Sequence, residues 1–226
     1  MRILSIIIPV FNEEQTIESI LRRVEQINLD NIRKEVIVVD DGSADKTRTL
    51  LKGWESKFTV LYHERNQGKG SAIKTALSLA HGDYTIIQDA DLEYDPKDWP
   101  QLLRAIEEEK VAAVYGSRNL GPAKRGYFFF YWGGRLLTRL MNFWFRSQLT
   151  DINTGYKLFR TDILKSLNLQ SRGFEFCEEV TAKLLKRKYA IKEIPIGYSP
   201  RTFTEGKKIT SWDGLVGIWT ILKNII

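Results

Sequence analysis

Acidic side chains occur at every second position directly after one apolar run of the chain. The run is 85–87, and the acids that follow it are Asp89, Asp91, Glu93 and Asp95. If the backbone stays extended, side chains two residues apart share a face, so these carboxylates would line one side of a strand end. Hard divalent cations such as Mg2+ and Mn2+ bind carboxylate oxygens and complete their shell with water and substrate phosphates. The pattern therefore predicts a metal held for a diphosphate.

Two other structures give a similar acidic pattern. A solvated acidic turn is common, and it remains open at this point. A calcium loop of the EF-hand type, counted from Asp89, requires Gly at its sixth position and Glu at its twelfth. The chain has Tyr94 and Pro100 there, which excludes the EF-hand.

Composition limits the class of protein and of site. The chain has 226 residues, of which 43% are hydrophobic and 27% charged, as in a globular protein of one large or two closely joined domains. Its single cysteine, Cys177, excludes an internal disulfide. With only His63 and His81 beside it, a zinc site or a Cys/His nucleophilic site is not expected, and both histidines are predicted to be surface or packing residues.

Strand and helix patterns alternate along the first half. Apolar runs predict strands at 3–11, 35–39, 58–62, 85–87 and 111–115, and helices at 13–27, 44–56, 72–80 and after Pro96. Asn12 is the predicted cap of the first helix. The alternation predicts a doubly wound α/β sheet, in which ligands bind outside the C-terminal ends of the strands. The polar residues predicted at that edge are Asn12, Asp40, Asp41, Asp89 and Asp91.

A glycine-rich turn precedes one of the predicted helices. In Gly68-Lys69-Gly70 the backbone could approach a ligand at a helix N-terminus, with Lys69 as a point charge for phosphate. The turn lacks the Walker spacing, and it does not follow the first strand as a dinucleotide fingerprint would.

An aromatic and basic segment follows the fifth strand. Residues 127–132 are six consecutive aromatics, 143–145 are three more, and Arg135 and Arg139 lie one helical turn apart. Residues 118–150 hold six basic residues and no acid. Arginines in the middle argue against a spanning helix, so the segment predicts an amphipathic helix in the headgroup plane of a membrane, with a core helix as the alternative.

The rest of the chain returns to a globular pattern. We expect strands at 155–160 and 191–198 and helices at 174–186 and 212–226, the last being too short to span a bilayer. It could lie on a membrane or pack on the body. The N-terminus enters a strand pattern at once, without the features of a signal peptide, which predicts a cytoplasmic protein.

Six motifs resemble those of glycosyltransferase family 2 with the GT-A fold, and within it the polyprenyl-phosphate hexosyltransferases typified by dolichol-phosphate mannose synthase. They occur in family order over about residues 3–210. The motifs are Ile8-Pro9-Val10-Phe11-Asn12-Glu13-Glu14, Val39-Asp40-Asp41-Gly42-Ser43, Asp89-Ala90-Asp91, Gly116-Ser117-Arg118, Asp151-Ile152-Asn153-Thr154-Gly155-Tyr156, and Arg201 with Gly206-Lys207-Lys208. Each motif alone is weak, whereas the ordered set is specific.

The resemblance implies a role for each matching position on the donor side. The residues expected around the nucleotide sugar are Pro9, Val10, Asn12, Glu14, Asp40, Asp41, Lys69, Asp89, Ala90, Asp91, Arg201 and Lys207. Mg2+ or Mn2+ would be held on the diphosphate by Asp89 and Asp91, with Glu93 as a further ligand. Asp91, Arg118, Arg201 and Lys208 are the expected catalytic residues.

The resemblance also implies the acceptor and the reaction. Arg118, Arg135 and Arg139 would bind the lipid phosphate, while Lys207 and Lys208 lie on a loop expected to close over the site. A phosphate monoester has its second pKa near ~6 and is already mostly anionic at neutral pH, so no strong general base is needed. We expect one in-line displacement with inversion, moving mannose from GDP-mannose or glucose from UDP-glucose to a dolichyl or undecaprenyl phosphate.

Several expectations follow for organisation and partners. One GT-A domain would span 1–226, with a nucleotide-sugar-binding half at 1–117, the amphipathic interface segment at 118–150 and an acceptor-side half at 151–226. Some relatives append transmembrane helices, so this chain would be peripheral on the cytoplasmic face of a membrane unless a partner anchors it. Nucleic acid is not an expected partner, because the acidic strand-end pocket would repel its backbone.

Two other functions remain as hypotheses. One is a family 2 transferase that acts on a soluble saccharide or protein, which would leave the aromatic and basic segment unexplained. The other is a catalytically silent nucleotide-sugar-binding subunit. The segment 174–179 resembles an acceptor-side family motif only loosely, with Glu179 as the aligned acid.

Overall fold

The computed structural model describes residues 1–121, 128–201, 206, 208 and 210–225, with the backbone alone for 128–130 and 211. Lys207 and Tyr127, which carry two of the sequence predictions, lie outside the described residues. The same holds for the side chains of the three phenylalanines at 128–130.

One seven-stranded sheet forms the centre of the fold. Its strands are β1 (Arg2–Val10), β2 (Ile32–Asp40), β3 (Thr59–Tyr62), β4 (Tyr84–Ile87), β5 (Ala113–Ser117), β6 (Lys157–Arg160) and β7 (Ile191–Pro195). Their order across the sheet is β3-β2-β1-β4-β6-β5-β7, and β6 alone of these strands runs antiparallel to its neighbours. The prediction of a mostly parallel α/β sheet is confirmed.

Eight α-helices accompany the sheet in the described part of the chain. They are α1 (Ile17–Gln26), α2 (Thr47–Lys52), α3 (Lys69–Leu79), α4 (Trp99–Glu108), α5 (Phe128–Phe145), α6 (Thr161–Ser166), α7 (Phe176–Lys186) and α8 (Ser211–Ile225). A short 3-10 turn, Pro96–Asp98, leads into α4. The helix start predicted at Pro96 is therefore confirmed, with a 3-10 turn as its first part.

The central strand β1 is buried on both faces, which explains its nearly continuous apolar sequence. Ile6 and Ile8 pack in the core that contains α1 and α4, whereas Ile7 packs in the core of α3 and α7. Successive side chains of a strand point to opposite faces, so a strand covered on both sides needs apolar residues at every position.

The antiparallel strand β6 brings a distant part of the chain to the functional edge. Lys157, its first residue, pairs with Ile87, the last residue of β4. The loop that enters β6 therefore lies at the same edge as the C-terminal ends of β1, β2 and β4. Tyr115 of β5 also pairs with Lys157. The last residue of β5, Ser117, therefore lies at the same edge of the sheet.

Two local predictions were wrong. Asn12 does not cap α1, because its φ of 49° turns the chain and the helix begins only at Ile17. The Asn12 side chain instead accepts a hydrogen bond from the backbone N–H of Ala44, which ties β1 to the loop after β2. The acids after β4 also do not continue an extended strand: the chain turns, with Leu92 at a φ of 63°. Their side chains consequently point in different directions.

A third layer forms outside the sheet sandwich. Leu137 and Met141 of α5, Ala182 of α7 and Ile221 of α8 share one small core. The opposite faces of α5 and α8 carry exposed large apolar side chains, at Trp132, Leu136, Phe143, Trp144, Trp212, Leu215, Trp219 and Leu222. For the described side chains, the alternative of a core helix is therefore confirmed for one face of α5, while contact of the other face with a membrane stays a prediction.

None of the described helices combines the length and the apolar character that crossing a membrane requires.

An aromatic pair positions the turn after β4. The Tyr156 hydroxyl donates a hydrogen bond to Gln88 Oε1 at 2.7 Å, and the Tyr156 ring stacks on that of Tyr94 with a centroid distance of 4.9 Å. The Tyr94 hydroxyl accepts a hydrogen bond from the backbone N–H of Gly155 at 3.0 Å. Because Gln88 immediately precedes Asp89, these contacts fix the direction of the carboxylate turn.

We predict that Tyr156→Phe lowers the free energy of unfolding by about 1 to 3 kcal/mol, because Gln88 Oε1 loses its donor at a fully buried position. Denaturant unfolding followed by circular dichroism measures the change. Tyr189→Phe is the matched control, since the Tyr189 ring is half-buried and its hydroxyl has no hydrogen bond to any described residue. Equal stability of the two variants would contradict the role given to Tyr156.

Candidate active site

A cavity of about 920 Å³ opens at the C-terminal edge of the sheet. The predicted site residues that line it are Pro9, Val10, Asp41, Lys69, Asp89, Ala90, Asp91, Glu93, Arg118, Arg135, Arg201 and Lys208. Four other described residues with predicted roles, Asn12, Glu14, Asp40 and Arg139, lie outside its wall. The fold thus brings together most of the residues that the sequence singled out.

Two carboxylates form the floor of this cavity. Asp89 Oδ1 lies 2.5 Å from Lys69 Nζ, and Asp91 Oδ2 lies 3.3 Å from Arg201 Nη2. Burial, together with the charges of Asp89 and Glu93, raises the pKa of Asp91 to about 7. Asp89, Asp91 and Glu93 repel one another when all three are ionised, so added positive charge would stabilise this turn.

Asp89 and Asp91 have the right chemistry for a divalent cation. Both supply hard oxygen ligands, and the pKa of Asp91 is raised by burial and by the neighbouring charges of Asp89 and Glu93. Among the described residues, no group of three or more His, Cys, Asp or Glu side chains is arranged to hold a metal. A bound Mg2+ or Mn2+ would therefore need further oxygens from a ligand such as a diphosphate.

Glu93 uses both carboxylate oxygens inside the protein. Its Oε1 accepts a hydrogen bond from the backbone N–H of Arg201 at 2.8 Å, and its Oε2 accepts one from the Tyr198 hydroxyl at 3.1 Å. These contacts attach the segment after β7 to the carboxylate turn. Glu93 thereby places Arg201 beside Asp91, an arrangement that its predicted role as a metal ligand did not include.

Glu13 is a site residue that the sequence analysis did not assign. It is 7% exposed and lines the cavity, whereas its neighbour Glu14 is exposed and accepts a hydrogen bond from the backbone N–H of Lys46. Arg201 Nη1 and Lys208 Nζ lie 2.9 Å and 2.6 Å from the two oxygens of Glu13. Its carboxylate thus pairs with two cations that line the cavity.

The two aspartates at the end of β2 have separate positions. Asp40 is fully buried and forms an ion pair with Arg48 at 2.9 Å, away from the cavity. Asp41 lines the cavity and accepts hydrogen bonds from the backbone N–H groups of Gln67 and Gly68 at 3.0 Å and 2.8 Å. It is also bonded to His63 Nδ1 at 2.6 Å, so the packing role predicted for this histidine is confirmed.

The glycine-rich turn requires glycine at position 68. Gly68 has a φ of 96°, and a Cβ there would overlap the backbone of Arg172. The turn begins α3 at Lys69, whose pKa is raised by the Asp89 charge although burial lowers it. The lysine predicted to meet phosphate is therefore held as a cation against the first carboxylate of the turn.

A half-buried arginine, Arg118, lies on another side of the cavity. Arg118 Nε and Nη2 each donate to one oxygen of Asp151 at 2.7 Å, which is a bidentate ion pair. Its guanidinium also lies 5.1 Å from the centre of the Tyr198 ring. Burial lowers the pKa of Arg118, but the Asp151 charge more than compensates, so the group stays charged.

The α5 and α7 helices complete this side. Arg135 lines the cavity, whereas Arg139 is exposed on the outer part of α5. Asn153 and Glu178 also line it, and neither was assigned a role from the sequence. Glu179, the acid aligned with the family motif, accepts hydrogen bonds from the backbone of Gln170 and Ser171. The acid of this helix that lines the cavity is Glu178, the residue before Glu179.

Comparison with known proteins adds a family and several relatives. The family model described as glycosyl transferase family 2 matches residues 5–167. A dolichol-phosphate mannosyltransferase of Pyrococcus furiosus is 30% identical over 211 residues, which are 90% of this chain and 58% of the relative. A UDP-N-acetylglucosamine–dolichyl-phosphate N-acetylglucosaminyltransferase of Methanococcus voltae is 29% identical over 86% of this chain and 85% of the relative.

A low-salt glycan biosynthesis hexosyltransferase, Agl6, of Haloferax volcanii is 28% identical over 88% of this chain and 48% of the relative. The chain thus spans about half the length of the Haloferax and Pyrococcus relatives.

Solved structures share the fold. Glucosyl-3-phosphoglycerate synthase of Mycobacterium tuberculosis, crystallised with Mn2+, UDP and glucosyl-3-phosphoglycerate, superposes with a TM-score of 0.78 at 22% identity. The match covers 99% of this chain and 80% of that one. The same enzyme was also crystallised with Mg2+ and UDP. The model match over residues 5–167, together with the ordered motifs at the cavity, leads to one conclusion: the chain belongs to glycosyltransferase family 2.

Proposed function

We propose that this protein transfers a hexose from a nucleoside diphosphate sugar to the phosphate of a polyprenyl lipid at a membrane surface. The observation that carries the proposal is one cavity with two phosphate-directed ends. Asp89 and Asp91 lie with Lys69, Arg201 and Lys208 at one end, and the half-buried Arg118 lies at the other.

The donor end fits a nucleoside diphosphate sugar. The ends of β1 and β2 supply an apolar and polar wall through Pro9, Phe11 and Asp41, which suits a base and ribose. Next to this wall lie the two carboxylates and the cations Lys69, Arg201 and Lys208. GDP-mannose and UDP-glucose are the donors proposed, and the mannosyl transfer named for one relative supports the first of them.

The acceptor end fits a second phosphate. Arg118 is kept charged and rigid by Asp151, and Arg135 lies on α5 across the same cavity. Arginine suits this role because its planar donors match phosphate oxygens in pairs. Two of the relatives are named for transfer to dolichyl phosphate, and this supports a polyprenyl phosphate as the acceptor.

The geometry favours a direct displacement. A phosphate monoester is already mostly anionic at neutral pH, so the protein has to align two anions rather than remove a proton. Arg118 would hold the attacking phosphate, while Arg201 and Lys208 would turn from Glu13 to the leaving diphosphate and stabilise its growing charge. A Mg2+ or Mn2+ held by Asp89 and Asp91 would polarise the same leaving group. Inversion at the anomeric carbon follows from a single displacement.

The outer faces of α5 and α8 support the membrane part of the proposal. Trp132, Leu136 and Phe143 recur at helical spacing on α5, and Trp212 and Trp219 lie on one face of α8. The exposed basic residues near them are Arg139, Arg146 and Lys223, and the described part of α5 has no acid. Such a surface suits an interface with anionic headgroups, and an anchoring partner remains a further proposal.

A transfer assay tests the reaction and its metal dependence together. Radiolabelled sugar from each donor is offered with polyprenyl phosphate in detergent, with Mn2+ or with a chelator, and lipid-extractable label is counted. Label from one donor that the chelator abolishes is the expected result. Parallel reactions offer a soluble saccharide or a phosphorylated acid as the acceptor. Label transferred only in these reactions would assign a soluble acceptor instead, and donor binding without any transfer would assign a silent subunit.

We predict that Asp91→Asn lowers the rate of this transfer by about 10²-fold or more, because the leaving diphosphate loses electrostatic stabilisation. The thermal midpoint is expected to stay at the wild-type value or rise, since the substitution removes a buried carboxylate crowded by like charges. Asp162→Asn, at an exposed position in the first turn of α6, is the control and should leave the rate unchanged. Full activity of Asp91→Asn would remove the metal from the proposal.

We predict that the double variant Trp212→Ser and Trp219→Ser weakens binding to anionic vesicles by about tenfold or more, because each ring is exposed and would leave the headgroup region. Co-sedimentation with phosphatidylglycerol-containing vesicles measures the partition. The control is Leu79→Ser, which removes an exposed apolar residue of α3. Unchanged partition of the double variant would exclude α8 from the membrane contact.

A further inference from the structure

Asn153 lies between the two ends of the cavity. Two residues before it, Asp151 holds Arg118, and two residues after it, Gly155 packs so closely that a Cβ there would overlap Asp89 Oδ2. In the proposed function the donor diphosphate is held near Asp89, and the acceptor phosphate near Arg118. The hexose that passes from one to the other must therefore lie beside residues 151–155.

The Asn153 amide is satisfied at only one end. Its Nδ2 donates to Glu178 Oε1 at 2.5 Å, whereas its Oδ1 is buried and has no hydrogen-bond partner among the described residues. Asn153 lines the cavity, and so does Gly134 of α5, where an added Cβ would stand 3.8 Å from this Oδ1. A buried amide oxygen without a donor costs free energy unless a ligand supplies one.

Glu178 is the residue that holds this amide. It is 3% exposed, and Asn153 is the only described side chain to which it is hydrogen-bonded. It forms no ion pair with a described cation, and burial raises its pKa to about 7. If the carboxyl is protonated and the amide is turned over, Asn153 Nδ2 is left unpaired in place of Oδ1. In both arrangements one polar atom of the amide stays available to a ligand hydroxyl.

Three helical glycines bear on the surroundings of this pair, one on α8 and two on α5. A Cβ at Gly217 of α8 would lie 3.1 Å from Glu178 Oε1, so α8 can approach the carboxyl closely only without a side chain there. On α5, no atom of the described residues lies within 4 Å of a Cβ placed at Gly133, and Gly133 and Gly134 both line the cavity. The two glycines of α5 thus add no side chain to the cavity wall that Asn153 shares with them.

We infer that Asn153, positioned by Glu178, hydrogen-bonds a hydroxyl of the hexose being transferred and so selects among donor sugars. This inference rests on the proposed function for the identity of the ligand. Asn153 contacts the sugar itself, whereas Glu178 acts as a positioning residue through the Asn153 amide. A hydroxyl suits the site because it can donate to Oδ1 or accept from Nδ2.

Calorimetric binding isolates the sugar contact. The affinities of the nucleotide sugar that binds tightest and of its nucleoside diphosphate are measured in the presence of Mg2+. For Asn153→Ala we expect the affinity for the nucleotide sugar to fall about five- to tenfold, the effect of one neutral hydrogen bond, while that for the nucleoside diphosphate stays within about twofold. Asn28→Ala, at an exposed loop position, is the control and should change neither value.

Three further variants separate this contact from a structural role. Glu178→Gln should keep the sugar-dependent affinity, since its amide can still pair with Asn153, whereas Glu178→Leu should lose it. Gly134→Ala leaves both residues in place and puts a methyl group into the space before Asn153 Oδ1. It should weaken nucleotide sugar binding without lowering the thermal midpoint, because alanine favours helix over glycine.

The outcomes distinguish this inference from the proposed function. If Asn153→Ala weakens nucleotide sugar and nucleoside diphosphate equally, or weakens neither, the contact is refuted even when wild-type protein transfers sugar to polyprenyl phosphate. If the variant loses only the sugar-dependent affinity, the contact stands, even when no lipid phosphate accepts the sugar. Among epimeric donors, the wild type should show a preference that Asn153→Ala reduces by a similar factor.

Discussion

The site depends on cations that balance several carboxylates, which the fold places close together. Four carboxylates meet at the C-terminal edge of the sheet, and they belong to Glu13, Asp89, Asp91 and Glu93. Carboxylates that are buried close together cannot all ionise unless cations or hydrogen-bond donors face them. Lys69, Arg201 and Lys208 supply this charge from the start of α3 and from the segment after β7. The acids therefore determine where distant parts of the chain must pack.

Strand topology makes this arrangement possible. Parallel strands bring the ends of β1, β2 and β4 to one edge, and the antiparallel β6 returns the chain so that the loop 151–156 enters at that edge. The carboxylates after β4 and Arg118 after β5 thereby share one cavity although they belong to different motifs. α5 and α8 cover this cavity on one side and expose aromatic side chains on the other, so a single helical layer connects the site with the outer surface.

Much of the fold and part of the site could be predicted because their signals are local. Apolar runs identified the strands, and the residues directly after them, such as Asp89 and Asp91, line the cavity as expected. The choice between Glu13 and Glu14 could not be predicted, because it depends on the turn at Asn12, whose φ is 49°. The pair of Asn153 with Glu178 was also hidden, because it joins residues 25 positions apart in a loop and a helix.

The pairing of Glu13 with Arg201 and Lys208 has a consequence for turnover. A tethered carboxylate is present at a high effective concentration, so every anion that reaches these cations must displace it, and the same carboxylate returns when the anion leaves. Nucleoside diphosphate remaining after the reaction would meet this competitor within the site itself. In the proposed reaction Glu13 would thus compete with substrate and product alike for these cations, which would favour release of the nucleoside diphosphate.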